Sequence, residues 1–258
     1  MLFLSILPRS SVSNNPTGMK ILRHIPNTIT SMNLLCGALG VICTFRGELN
    51  IAFYLMIAAA VCDFLDGLSA RLLNAYSSMG KELDSLADLV SFGLLPALML
   101  HRRMIEGGMT GFMSYIPLVI VIFSALRLAK FNIDDRQTEN FLGLPTPACA
   151  MWCGSLIYAG DNGITSWVEL LHNPYFIPAA SVILALLLIS EIPMLSMKFK
   201  KDSKYNKVRL TFVGISVVSA LTCLVLKIHW SFIPLVIFTL YIFDNLVRFL
   251  LSITIVRK

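Results

Sequence analysis

Long apolar segments alternate with short polar ones along most of the chain, and this pattern predicts membrane-spanning helices. A helix needs roughly 20 mostly apolar residues to cross a bilayer. Eight segments approach that length and composition, near residues 25–45, 50–73, 82–100, 112–131, 145–160, 174–190, 209–227 and 231–254. We therefore predict an all-α integral membrane protein, a bundle of about eight transmembrane helices.

The composition supports this class. Of the 258 residues, 56% are hydrophobic and only 14% are charged, and the mean hydropathy is +0.75. A soluble domain needs more charged residues to cover its surface. We predict a flexible leader at 1–20, a membrane core with the polar motifs at 21–160, and C-terminal transmembrane scaffold helices of the same domain at 161–258. A start at Met19 instead of Met1 is an open alternative.

The distribution of Lys and Arg predicts the orientation in the membrane. If both termini face the cytoplasm, only Arg46, Arg102, Arg103 and Lys227 of the 21 Lys and Arg residues lie outside. Cytoplasmic loops carry an excess of these residues, so we predict cytoplasmic termini in a bacterial inner membrane. The basic run at 198–209 then lies against anionic lipid head groups. Membrane topology thus accounts for the net charge of +6, and we predict no nucleic-acid partner.

Four aspartates interrupt the second and third predicted spans, where each charge costs roughly 2.5–3.5 kcal/mol. Asp63 and Asp66 are spaced i, i+3, and Asp84 and Asp88 are spaced i, i+4, so each pair lies on one face of its helix. A short polar turn joins the two helices, so the two rows can face each other. Carboxylates that face one another repel unless a cation neutralises them. Oxygen ligands favour Mg²⁺, Mn²⁺ or Ca²⁺, so we predict a metal site that binds a lipid diphosphate.

The four aspartates have two alternative interpretations. The charges can pair with Arg71 and Lys81 and only stabilise the bundle, but two cations are too few for four carboxylates. Alternatively, the aspartates can line the pathway of a cation or lipid transporter, which requires polar residues as far as the outer face. The outer halves of the two spans, IAFYLMIAA and LLPALML, are apolar. We therefore favour a pocket that opens to the cytoplasmic side only.

The aspartates belong to a longer motif, DxxDGxxARx8Gx3Dx3D. Its fixed positions are Asp63, Asp66, Gly67, Ala70, Arg71, Gly80, Asp84 and Asp88. This motif resembles the signature of the CDP-alcohol phosphotransferases. The segments IPNTITSMNLLCG, ALRLAKFN and FLGLPTPACA, at 25–37, 125–132 and 141–150, are similar to the serine-transferring members of that family. The resemblance covers roughly residues 20–160. It implies a six-helix family core, here followed by extra C-terminal spans, and a homodimer.

The resemblance also implies a reaction, in which the phosphatidyl group of CDP-diacylglycerol passes to the hydroxyl of L-serine and CMP leaves. Glycerol phosphate and inositol phosphate are alternative acceptors within the family. By similarity, Asp63, Asp66 and Asp84 hold Mg²⁺ or Mn²⁺, and Asp88 completes the metal shell or acts as general base. Ca²⁺ is expected as a non-productive occupant. The implied contacts to CDP-diacylglycerol are Asn27, Asp63, Gly67, Ala70, Arg71, Ser77 and Gly80.

The acceptor site is predicted at the cytoplasmic end of the fourth span. Arg127 can hold the serine carboxylate by two parallel hydrogen bonds, and Lys130 and Asn132 are further candidates. The alternative is that these side chains only extend to the membrane interface. After this region, Pro145 and Pro147 predict that the fifth helix begins only beyond the second proline.

Overall fold

The computed structural model describes residues 16–133, 141–162, 171, 173–194, 206–225, 230 and 232–256. Its α-helices are α1 (Pro16–Phe45), α2 (Leu49–Leu72), α3 (Ser78–Asp88), α4 (Leu95–Glu106), α5 (Val119–Ile133), α6 (Thr146–Asn162), α7 (Phe176–Ile189), α8 (Asn206–Val225) and α9 (Phe232–Val256). A π-helix (Leu89–Leu94) joins α3 to α4, and a 3₁₀ helix (Phe112–Leu118) leads into α5. Two short strands, β1 (Phe141–Leu142) and β2 (Pro193–Met194), pair antiparallel.

The helices agree with the predicted membrane bundle. Each of the predicted spans overlaps a helix in the described part of the chain. Within the residues that the structure describes, five helical segments are long and apolar enough to cross a bilayer: His24–Phe45, Leu49–Leu72, Ser78–Glu106, Phe112–Ile133 and Phe232–Leu251. Helices α6 and α7, with 17 and 14 residues, are shorter. The all-α class is confirmed, and the count of eight spans stays a prediction.

Two predicted segments lie partly outside the described residues: residues 1–15 of the leader and residues 198–205 of the basic run. Helix α1 begins at Pro16, inside the predicted leader. Near the other end of the chain, Arg248 Nε lies 2.8 Å from Asp244 Oδ2, which forms a salt bridge within α9.

Helix α1 approaches its neighbours closely because of two glycines. It packs along α2 and against α3 and the π-helix. A Cβ atom on Gly37 would collide with Ser91 of the π-helix, and one on Gly40 would lie 2.7 Å from Leu95 Cδ2. Small residues allow such contacts between helices in lipid, where association depends on packing. The polar face of α1 is thereby held against α3. The buried core nearby, where α2, α4 and α6 meet, includes Phe53, Met56, Met99, Leu100 and Ile157.

The segment before α6 is fixed to the end of α7. Gly143 has φ +77°, its N–H donates to Ile192 O at 2.9 Å, and a Cβ would lie 2.5 Å from Leu188 O. Only glycine fits such a position. Helix α6 then begins at Thr146, so the prediction that it starts after Pro147 was wrong. Proline is tolerated in the first turn of a helix because its missing N–H would have no partner there.

Candidate active site

The two predicted acidic rows face each other. One carboxylate oxygen from each of Asp63 and Asp66 of α2 and Asp84 of α3 lies within 4.8 Å of the other two. Asp66 is only 6% exposed. Such convergence of anions inside an apolar bundle requires a compensating positive charge.

Two nearby cations, Arg71 and Lys81, have hydrogen-bond partners other than these carboxylates. Arg71 Nε donates to Gly67 O at 3.1 Å, and Lys81 Nζ donates to Asn132 O at 2.7 Å. Asp66 Oδ2 and Asp84 Oδ1 are buried and have no hydrogen-bond partner within the described part of the chain. Three converging carboxylates, two of which have such an oxygen, are the donor set that a hard divalent cation prefers. The residues therefore fit Mg²⁺ or Mn²⁺.

Asp88 lies one turn beyond Asp84 and is not among the three carboxylates that converge. It is 8% exposed and within electrostatic range of Asp63 and Asp84. Asn33 Nδ2 of α1 donates to Asp88 Oδ1 at 3.2 Å, and Ser91 Oγ donates to Asn33 O at 3.0 Å. Asp88 is thus held at the edge of the cluster by α1.

Asn33 is a site residue that is not among the residues predicted from the sequence. It is fully buried, and Asn27 and Thr30 precede it at intervals of three residues on the same helix. Residues at i and i+3 share a helix face. The spacing of Asn27, Thr30 and Asn33 on a mostly apolar span therefore indicates a polar face that includes Asn33.

The π-helix begins immediately after Asp88. Single π turns are uncommon inside α-helices and are often found at functional sites. On one side the π turn meets α1 through Ser91, and on the other a Cβ on Gly93 would lie 3.1 Å from Ser124 Cβ of α5. The turn therefore lies where α1, α3 and α5 come together, beside the candidate base.

A pocket of about 210 Å³ adjoins the carboxylates. The predicted nucleotide contacts Asn27, Gly67, Ala70, Ser77 and Gly80 line it, together with Asp66 and Asp84. Thr30, Tyr76 and Lys81 line it as well, although none of them is among the predicted nucleotide contacts. Two predicted contacts, Asp63 and Arg71, are not among its lining residues.

Gly80 and Ser77 shape this pocket through the start of α3. Ser77 is the N-cap of α3, and its Oγ accepts a hydrogen bond from Gly80 N at 2.9 Å, an interaction that stabilises a helix N-terminus. A Cβ on Gly80 would lie 2.9 Å from both Ser77 Oγ and Asn27 Oδ1. Gly80 therefore lets α1 and the first turn of α3 meet at the pocket.

Arg127 is buried, at 8% exposure, and does not extend to the membrane surface. Its Nη1 donates to Thr146 Oγ1 at 2.8 Å, and its guanidinium lies 5.9 Å from the centre of the Phe131 ring. Its Nε is buried and has no hydrogen-bond partner among the residues described. Asp88 lies within electrostatic range. A cation with an unused donor thus lies near the candidate base.

The other two residues predicted to bind serine, Lys130 and Asn132, contact different elements. Lys130 Nζ lies 3.4 Å from Glu191 Oε1 in an exposed ion pair. Asn132 Nδ2 donates to Ser85 Oγ at 2.9 Å, which ties the end of α5 to α3. Exposed ion pairs of this kind contribute little to stability. Of the three predicted residues, Arg127 alone has the burial and the unpaired donor expected of a ligand contact.

The fold and the site together define a class of protein: an all-α membrane bundle with an acidic candidate cation site beside a pocket. Residues 23–197 match the sequence profile of the CDP-alcohol phosphatidyltransferases, and the chain belongs to this family. The match includes the whole aspartate motif and continues past residue 160, where the predicted core ends, as far as the end of α7 and β2.

Individual relatives agree with the family. The chain is 34% identical over 184 residues to the CDP-diacylglycerol–serine O-phosphatidyltransferase of Mycobacterium bovis, and the aligned region covers 68% of this chain and 62% of the relative. It is 31% identical over 186 residues to the protein of the same name from Bacillus subtilis, with 72% and 96% covered. It is 32% identical over 142 residues to the archaetidylserine synthase of Methanothermobacter thermautotrophicus, with 53% and 58% covered. The chain thus matches less than two thirds of the length of the mycobacterial relative.

Proposed function

We propose that this chain transfers the phosphatidyl group of CDP-diacylglycerol to the hydroxyl of L-serine, which yields phosphatidylserine and CMP. The observation that carries the proposal is the convergence of Asp63, Asp66 and Asp84 beside the pocket that the family motif lines, with an unpaired oxygen on each of Asp66 and Asp84 among the described residues. Two bacterial relatives named for this reaction support serine as the acceptor.

The carboxylates of Asp63, Asp66 and Asp84 would hold Mg²⁺ or Mn²⁺, with Asp88 as an adjacent fourth acid. Such an ion would neutralise the diphosphate and stabilise the charge on the departing CMP. Ca²⁺ accepts the same oxygen ligands with looser geometry, and we expect it to occupy the site without supporting turnover.

CDP-diacylglycerol is proposed to place its nucleotide in the pocket. Asn27 and Ser77 offer polar side chains there, while Gly67, Ala70 and Gly80 leave room for the ligand. Arg71 is exposed and lies beside Gly67, where its charge suits a diphosphate oxygen. The acyl chains then extend into the bilayer.

Asp88 is proposed as the general base. In the transfer, the serine oxygen bonds to the phosphorus that carries diacylglycerol, and the bond from that phosphorus to the CMP oxygen breaks. Asp88 takes the proton of the serine hydroxyl, for which it must lie within about 3 Å of that oxygen or reach it through one water. Its bond from Asn33 and its place outside the three-carboxylate cluster support this role.

Arg127 is proposed to bind the serine carboxylate. Its unpaired Nε supports this role, because a guanidinium binds a carboxylate through two parallel N–H bonds. The acceptors glycerol phosphate and inositol phosphate carry more negative charge and need several cations. Lys130, the other predicted cation, is exposed and paired with Glu191, which favours serine over these alternatives.

We place the protein in a bacterial cytoplasmic membrane, with the pocket and both termini on the cytoplasmic side. The basis is the excess of Lys and Arg in the segments assigned to that side. A homodimer, expected from the family resemblance, stays a prediction.

The acceptor is tested with purified protein in lipid nanodiscs that contain CDP-diacylglycerol. Mg²⁺ or Mn²⁺ is added with L-serine, glycerol phosphate or inositol phosphate in separate reactions, and lipid products and CMP are identified by mass spectrometry. We expect phosphatidylserine from the serine reaction alone. A product formed only with a phosphate acceptor would contradict serine specificity, and intact CDP-diacylglycerol in every reaction would contradict the transfer itself.

A further inference from the structure

The turn between the two acidic helices presents an aromatic ring to the pocket. Residues 73–77 connect α2 to α3, and Tyr76 in this turn lines the same pocket as Asp66 and Asp84. Of the described residues that line the pocket, Tyr76 alone is aromatic. It is 71% exposed, so most of its surface is free of contacts with the bundle. The ring is therefore accessible to a ligand in the pocket.

The backbone on both sides of Tyr76 is fixed by helix caps. Before it, Asn74 has φ +47° and ends α2 in a Schellman motif, in which Ala75 N donates to Ala70 O at 2.9 Å. After it, Ser77 is the N-cap of α3. Tyr76 is thus held on a short turn between two caps, so its backbone loses little freedom when the ring binds a ligand.

The turn lies at a distance from the carboxylates that suits a nucleotide. Asp66 is six residues before the end of α2, and Asp84 is six residues after the start of α3. Because a helix rises about 1.5 Å per residue, the turn is roughly 9 Å from both carboxylates along the helix axes. The pocket reaches from the carboxylates to the turn, since residues of both line it. In CDP the ribose separates the base from the phosphates. A nucleotide whose phosphates meet a metal ion at the carboxylates therefore extends its base toward Tyr76.

Building on the proposed function, we propose that Tyr76 stacks on the cytosine base of CDP-diacylglycerol and so holds the nucleotide in the pocket. Aromatic side chains bind bases in this way because every base has a π-face. Tyrosine is also common at the membrane interface, where it anchors a helix among the head groups. Such an anchor would not contact CMP, the soluble part of the substrate, so the two roles give different results in a binding experiment.

The test is Tyr76→Leu in the full chain in nanodiscs, with CMP as the probe and Mg²⁺ or Mn²⁺ present. We expect Kd for CMP, measured by equilibrium dialysis, to rise about tenfold, within the range known for loss of a stacking side chain. KM for CDP-diacylglycerol should rise as well, while KM for serine and the unfolding temperature stay close to the wild-type values. Tyr76→Phe keeps the ring and should bind CMP nearly as tightly as the wild type.

The matched control is Tyr175→Leu. Tyr175 is 67% exposed and directly precedes α7, at the end of that helix which the predicted orientation places outside. This control removes an exposed tyrosine far from the proposed cytoplasmic pocket, so Kd for CMP should not change.

Three results would overturn the inference: an unchanged Kd for CMP in Tyr76→Leu, an equal rise in Tyr76→Phe, or an equal rise in Tyr175→Leu. A higher KM for CDP-diacylglycerol with an unchanged Kd for CMP would make Tyr76 a membrane anchor. In each of these cases, a wild type that makes phosphatidylserine keeps the proposed function. A wild type that binds CMP but makes no phosphatidylserine refutes the proposed function instead, and the binding data still decide whether the ring contacts the base.

Discussion

Charged residues occur at both ends of the helix that runs from Ser78 to Glu106, and they are arranged in opposite ways. At its start, Asp84 joins Asp63 and Asp66 of α2; we call these three carboxylates the acidic end. At its close, Arg102, Arg103 and Glu106 lie beside Asp161 of α6; we call these four residues the paired end.

The two ends differ in how their charges are compensated. At the paired end, Arg102 Nε lies 2.8 Å from Glu106 Oε1, and Arg103 forms salt bridges with both Glu106 and Asp161. At the acidic end, like charges converge and two of their oxygens have no partner in the described chain. Charge in an apolar helix is therefore not enough to indicate a site. Lack of pairing is what distinguishes a ligand site from a structural network.

The sharpest test of this contrast is Asp84→Asn. Loss of one ligand should lower kcat about 100-fold or more, the scale on which electrostatic stabilisation of a transition state acts. In the wild type, Mg²⁺ or Mn²⁺ at a hundred times its Kd should stabilise the fold by about 2.7 kcal/mol and so raise the unfolding temperature. Asp84→Asn should remove this rise. The exposed Glu82 is the control, since Glu82→Gln removes an equal charge from the same helix. A metal-induced shift that survives in Asp84→Asn would refute the cation site.

The second test, Asp88→Asn, determines whether Asp88 acts as a base or as a further metal ligand of the acidic end. If Asp88 is the base, kcat should fall about 100-fold, while the metal-induced rise in unfolding temperature stays, because the three converging carboxylates are intact. Near-normal turnover would remove Asp88 from the base role. Loss of the thermal shift would instead make it a metal ligand.

The third test is Arg127→Lys, which keeps the charge but loses the fork geometry. KM for serine should rise about tenfold, in line with the loss of a charge-assisted hydrogen bond, with little change in KM for CDP-diacylglycerol. Lys130→Gln is the control, because Lys130 forms an exposed pair with Glu191 and should change KM for serine less than about twofold. Equal effects of the two substitutions would argue against a specific carboxylate contact.

Most of the helices and the acidic end were predictable because both depend on local spacing. Apolar length predicts a span, and the intervals between Asp63 and Asp66 place both on one face whatever the rest of the chain does. The salt bridge between Asp244 and Arg248 is equally local, because the two residues are four positions apart on α9.

The residues that sequence reasoning missed depend on contacts between distant segments. Asn33 meets Asp88 because Gly37 lets α1 approach the π-helix, and nothing in the local sequence predicts a π turn there. Thr146 meets Arg127 because the strand pairing before α6 fixes where that helix begins. Such contacts follow from packing, which periodicity does not encode.

The smallest expected effect is at the paired end, in Asp161→Asn. The side chains of Asp161 and Arg103 are 21% and 13% exposed, and partly exposed pairs contribute about 1 kcal/mol or less. We expect the unfolding temperature to drop by roughly 2–4 °C and kcat to change less than about twofold. Measured beside Asp84→Asn, this neutralises one acid at each end of the same bundle. If activity instead fell with Asp161→Asn as steeply as with Asp84→Asn, charge pairing would not distinguish structural charges from ligand-binding ones. The two ends would then have to act as one coupled unit.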